Sequence, residues 1–180
     1  MSDTPAAYIV DDDPAMRALI GATLQAAGIE PVFFSSADEF STFKIPDRAA
    51  CILLDLQMPG QSGLDLLERH FESTASCPVI IVTAHASVQV AVKSMKLGAI
   101  DFLEKPIDRP ALLSKVQAAI EKDRERRAAA TETQEITRRL NTLSPREKEL
   151  LLTVIGGKST KMIADQLGIS ARTVYHHRAN

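Results

Sequence analysis

The sequence predicts an α/β fold: a five-stranded, parallel, doubly wound sheet, followed by a small all-α module. Three observations predict it. Apolar runs of four or five residues alternate with amphipathic stretches through about residue 120, as expected of buried parallel strands joined by crossover helices. Apolar residues make up 45% of the 180-residue chain, enough for one ordinary core and a smaller second one. Charge then divides the chain. Residues 1–108 carry 7 Lys/Arg against 15 Asp/Glu, net −8, and residues 109–180 carry 14 against 8, net +6. An acidic half followed by a basic half points to two modules, the second suited to a polyanion.

The strands are expected at Ala7–Val10, Pro31–Phe34, Cys51–Leu54, Val79–Val82 and Ile100–Leu103. Each is short and continuously apolar, as a strand covered on both faces must be. Asp13-Pro14 opens the first helix with a capping carboxylate and a proline where no N–H is needed, and Gly28 closes it. Ser87 opens a helix that ends at Gly98, and Asp108 precedes Arg109-Pro110 and a final helix. The sheet domain is read as residues 1–122. A charged helical linker follows at 123–140, built around Glu121-Lys-Asp-Arg-Glu-Arg-Arg127 and without core-forming positions. Apolar periodicity returns from Leu143, so 141–180 form the second domain. Ser144-Pro-Arg-Glu147 is a capping box, Gly156-Gly157 ends that helix, Ser159 or Thr160 caps the next, and Gly168 ends it before Ser170.

Composition also excludes several classes. The longest apolar runs fall far short of the roughly 20 residues a membrane-spanning helix needs. Met1–Ala6 lacks the basic-then-apolar order of a secretory signal, so the default location is cytoplasmic. Cys51 and Cys77 each begin an apolar run and read as buried, reduced thiols. No CxxC or His/Cys cluster suggests zinc.

Three carboxylates carry the chemistry. Asp11 and Asp12 follow the first strand and Asp55 follows the third. In an open parallel sheet ligands bind beyond the carboxyl ends of strands where the order reverses, so the three acids should converge. Clustered carboxylates repel unless a cation offsets them, and oxygen-only ligands favour Mg²⁺. Helix capping accounts for Asp13 but not for the whole run. Thr83 ends the fourth strand and Lys105 the fifth. A hydroxyl and an ammonium there can bind oxygens of a group placed on Asp55.

Asp11-Asp12, Asp55-Leu-Gln-Met-Pro-Gly60, Thr83-Ala84 and Lys105-Pro106 resemble the receiver domain of two-component response regulators, over about residues 6–122. That resemblance implies a flavodoxin-like fold and a phosphoryl group accepted by Asp55 from a sensor histidine kinase. It implies Mg²⁺ held by Asp11, Asp12, Asp55 and the main-chain carbonyl of Gln57. Lys105 would pair with a phosphoryl oxygen, and the Lys105–Pro106 bond would be cis. Thr83 and Phe102 would be the switch residues. Val88, Val92 and Met95, at helical spacing, are either core positions or a surface for dimerisation on phosphorylation.

The segment from Leu143 to Val174 resembles the LuxR-type helix-turn-helix, as in response regulators of the FixJ/NarL type. It implies promoter DNA as a partner. Lys161, Arg172, Thr173 and Arg178 would meet phosphates, with Tyr175, His176 and His177 as groove contacts. Two departures stand out: Thr160 replaces the usual asparagine before the lysine, and Tyr175-His176 departs from the usual recognition segment. The chain stops at Asn180, so the module is expected to lack its last helix.

The functional expectation is a phosphorylation-activated transcriptional regulator in a cytoplasmic two-component system, without membrane partners. No enzymatic activity beyond slow self-dephosphorylation is expected. Aspartyl phosphohydrolases place their nucleophile in a DxDx[TV] run after the first strand, where this chain reads Asp11-Asp12-Asp13-Pro14. The alternative is a receiver that serves as a phosphate sink or binds proteins, with an incomplete DNA-binding domain.

Overall fold

A computed structural model describes residues 4–60, 62–71, 77–84, 87–156, 159–168, 170–172 and 174. The chain divides into two compact units, Met1–Ala128 and Ala129–Asn180.

Five strands form the first unit's sheet: β1 (Ala6–Val10), β2 (Glu30–Phe34), β3 (Ala50–Leu54), β4 (Val79–Thr83) and β5 (Asp101–Glu104). All pairings are parallel and the order is β2-β1-β3-β4-β5. Sequence and structure therefore agree on fold class. The three central strands are buried at every position, whereas the edge strands carry polar residues and, in β2, Pro31.

Side chains alternate across each strand, so two cores result. Ala6, Tyr8 and Val10 face one side with Phe34, Phe40, Leu66 and Leu67, under α2 (Ala37–Ser41), α3 (Gly63–Phe71) and α4 (Val88–Lys96). Ala7 and Ile9 face the other with Ile20, Leu24, Leu112 and Val116, under α1 (Pro14–Ala26) and α5 (Arg109–Thr142). Neither Cys51 nor Cys77 is in a disulfide, and both are fully buried. Burial pushes the Cys51 thiol up to about 12, and Cys77 is raised for the same reason.

Local signals set the helix ends. Asp13 accepts the Ala15 N–H at 2.8 Å, Ser87 accepts that of Val90 at 3.2 Å, and Asp108 accepts that of Ala111 at 3.0 Å. Gly28 and Gly98 take φ of 74° and 100° after α1 and α4, which a side chain would resist.

The 123–140 segment, read as linker, lies within α5. Asp123 is fully buried, and the first compact unit runs to Ala128. The three positions read as core or dimer surface are exposed: Val88 at 82%, Val92 at 48% and Met95 at 48%. No helix among the described residues is long and apolar enough to cross a membrane.

In the second unit α6 (Pro145–Ile155) precedes α7 (Thr160–Leu167). The capping box forms: Ser144 N donates to Glu147 Oε2 at 2.8 Å, and Glu147 N donates to Ser144 Oγ at 3.3 Å. Ser159, not Thr160, caps α7, and Gly168 ends it with φ of 63°. Among the described residues, Ile163, Ala164, Leu167 and Val174 cluster in this unit's core.

Candidate functional site

The site lies where β1, β3, β4 and β5 end. Because β1 and β3 are paired in register from Ala6↔Ala50 to Val10↔Leu54, the residues that follow them, Asp11 and Asp55, emerge side by side. Asp11 and Asp55 are buried and Asp12 is exposed, and each offers a carboxylate oxygen within 4.8 Å of the others. The three acids expected to converge do so.

Backbone turns fix two of them. Asp11 Oδ1 accepts the Asp13 N–H at 2.9 Å, and Asp55 Oδ1 accepts the Gln57 N–H at 2.9 Å. The latter bond ties Asp55 to Gln57, whose main-chain carbonyl the resemblance implies as a metal ligand. Lys105 then reaches in from the end of β5. Its ammonium lies 2.5 Å from Asp55 Oδ2 and 2.8 Å from Asp11 Oδ2. Lys105–Pro106 is a cis bond, as the resemblance implied.

The electrostatics are unbalanced: three carboxylates meet one ammonium. Burial raises the Asp11 pKa, against the pull of Lys105. For Lys105 burial acts against the charge, yet the bonds to Asp11 and Asp55 outweigh it, and its pKa rises. Asp11 Oδ2 is buried and, though ion-paired, lacks a partner at hydrogen-bonding angles. A buried oxygen that shares one ammonium with Asp55, beside two more carboxylates, belongs to a donor set that suits a hard divalent cation such as Mg²⁺.

Thr83, the last residue of β4, is 1% exposed and sits opposite Glu104, with its carbonyl accepting the Lys105 N–H at 2.9 Å. Phe102 is half-buried against the core beneath α4. Both stand on strands that lead into the site.

Two contributors escaped the sequence reading. Arg17, on α1, donates from Nη1 to the Asp11 carbonyl at 2.5 Å and so holds the acidic turn. Its placement one turn after the Asp13 cap is the signal that could have found it. Gly63 begins α3, and a Cβ there would lie 2.2 Å from the Asp55 carbonyl oxygen. Only glycine lets that helix approach the Asp55 backbone so closely.

In the second unit Lys161 and Arg172 are exposed. Thr173, Tyr175, His176, His177 and Arg178 lie outside the described residues.

Comparison with known proteins adds two family matches: "Response regulator receiver domain" over residues 7–117, and "Bacterial regulatory proteins, luxR family" over 141–180. The transcriptional regulatory protein FixJ of Azorhizobium caulinodans is 38% identical over 180 residues, which is all of this chain and 85% of the relative. Nodulation protein W of Bradyrhizobium diazoefficiens is 36% identical over 173 residues, 96% of this chain and 76% of the relative. Among solved structures, response regulator StyR superposes with a TM-score of 0.85 at 37% identity, covering 98% of this chain and 89% of that one. Full-length FixJ from B. japonicum gives 0.60 at 34% identity, covering 99% and 88%.

Proposed function

This chain belongs to the response regulators, as a FixJ-like transcriptional regulator with a receiver domain and a LuxR-type DNA-binding domain, and from that premise we propose that Asp55 is its phosphoacceptor and the origin of its switch. The observation that carries the reading is the convergence of Asp11, Asp12 and Asp55, with the Lys105 ammonium bridging Asp11 and Asp55.

The phosphoryl donor is a phosphohistidine of a sensor kinase. A carboxylate oxygen of Asp55 attacks phosphorus, the P–N bond breaks, and the donor imidazole leaves with a proton. Asp11, Asp12, Asp55 and the Gln57 carbonyl would hold Mg²⁺, which would supply positive charge to offset that gathered on the transferring group. Lys105 already bridges Asp55 and Asp11, so it needs little movement to pair with a phosphoryl oxygen. The new group adds about −1.5 to −2 charges and strong acceptors. The Thr83 hydroxyl turns toward one of them, and Phe102 moves into the space released.

The face that answers is α4 with β5, where Val88, Val92 and Met95 stand exposed. Dimers formed there pair two DNA-binding units on promoter DNA. Lys161 and Arg172 meet phosphates, joined by Thr173 and Arg178, with Tyr175, His176 and His177 toward the groove.

The test is a titration of fluorescent DNA at two salt concentrations, with and without an acyl phosphate and Mg²⁺. Binding is expected to tighten on phosphorylation, to weaken with salt, and to stay at the basal level in Asp55→Asn. Equal tightening in Asp55→Asn overturns the assignment, and no binding at low salt overturns the DNA-directed output.

A further inference from the structure

At the opposite end of the sheet from Asp55, where the strands begin, lies a second buried carboxylate that phosphoryl chemistry does not use. Asp123, on α5, is fully buried. Its Oδ2 accepts the N–H of Ala50, the first residue of β3, at 3.0 Å. The same side chain takes two guanidinium groups from its own helix. Arg126 donates to Oδ1 from Nη2 at 2.7 Å and from Nε at 3.1 Å, and Arg127 donates to Oδ2 from Nε at 2.7 Å. Arg127 also pairs with Asp47, just before β3. Cys51 follows Ala50 on β3 and Cys77 stands just before β4, so both fully buried thiols lie at this same end of the sheet.

Burying a carboxylate is costly unless it is paired and hydrogen-bonded, and this one is both. Its partners come from strand and helix alike, so parting helix from strand here breaks the Asp123–Ala50 bond and the Arg127–Asp47 pair and leaves the buried Ala50 N–H without its acceptor. Beyond it the situation changes abruptly. From Ala128 to Thr142 no residue of α5 is buried. The helix there is held by its own hydrogen bonds and by surface pairs such as Glu135 with Arg138 and Arg139.

We infer that Asp123, Arg126 and Arg127 form a polar lock that fastens α5 to the start of β3 and sets the fixed end of the connector at Arg127. The helix up to the lock moves with the sheet, and freedom to bend or fray begins at Ala128. The consequence for output, that repositioning of the DNA-binding unit originates beyond the lock, rests on the regulator reading above. The lock itself does not.

The test compares the full-length protein with Asp123→Asn by amide hydrogen exchange and by alkylation of the native thiols, without a phosphoryl donor. In the unaltered protein, exchange protection should extend through Arg127 and drop after Ala128. In Asp123→Asn, protection of 121–127 should fall at least tenfold and Cys51 and Cys77 should alkylate at least tenfold faster, while β1 amides stay protected. Unchanged exchange and labelling in the variant overturns the lock, as does equal exchange at 123–127 and 131–142 in the parent. Should Asp123→Asn fail to fold, Arg127→Gln keeps the Asp123–Ala50 bond and should show the same changes more weakly; no change there also overturns it. Because Asp55 is not phosphorylated in any arm, a failure of the phosphoacceptor reading leaves these rates as they are.

Discussion

Asp11 shows how one side chain serves two purposes. Its Oδ1 shapes the turn, while its buried Oδ2 faces Lys105 and the other acids. Burial raises its pKa, so the folded protein holds a proton there more tightly than the unfolded chain does. The sign follows: without a cation, this group's contribution to stability falls as pH rises from the ordinary aspartate value through the raised one. Mg²⁺ should reverse the trend by stabilising the ionised form. Thermal melts across that window should therefore show Mg²⁺ stabilisation growing with pH in the parent, and Asp11→Asn should flatten both the pH trend and the Mg²⁺ effect. A Mg²⁺ effect that ignores pH would contradict this account. At this scale the sequence was informative about Asp11, Asp12, Asp55, Thr83 and Lys105, because chemistry marks such residues and strand ends place them. Arg17 gave only the faint signal of its place one turn after the Asp13 cap, and Gly63 gave none, since a glycine at a helix start is ordinary until coordinates bring it against the backbone of Asp55.

Among elements, the five strands and α1, α4 and α5 were legible, because continuous apolar runs and strong caps bound them. The short α2 and the α3 helix were not read. Ser36 caps α2 and Glu39 reaches back to the Ser35 N–H at 2.7 Å, yet five residues leave no helical period to detect. For α3 the decisive feature is its start, where Gly63 N donates to the Leu56 carbonyl and the absent side chain admits the Asp55 backbone. Gly63→Val should therefore displace α3 or the Asp55 loop. An overpacking cost of about 1–3 kcal/mol is expected, measured by urea unfolding, together with reduced phosphoryl labelling. Parent-like stability and labelling would mean that the contact is looser than described. The segment read as linker looked wholly solvated because charged residues dominate it. A lone Asp123 among them gives no sign that β3 waits with an N–H for it.

The division of charge proved a guide to the molecule as a whole. The acidic part folds around a carboxylate site, and the basic part carries the match to LuxR-family regulators. What sequence could not decide was whether Val88, Val92 and Met95 were core or surface, since both give the same helical spacing. Their exposure supports a surface role. Light scattering should find a doubled mass on phosphorylation of the parent and an unchanged mass for Val92→Glu, which leaves the core untouched. A doubled mass in that variant would move the dimer contact elsewhere.

The role of Asp55 as phosphoacceptor is tested most directly by where a phosphoryl group lands. After exposure to an acyl phosphate, peptide mass spectrometry should find the group on Asp55 when Mg²⁺ is present, little of it in EDTA, and none in Asp55→Asn. Phosphorylation at another residue, or equal labelling of Asp55 with and without the metal, would contradict it.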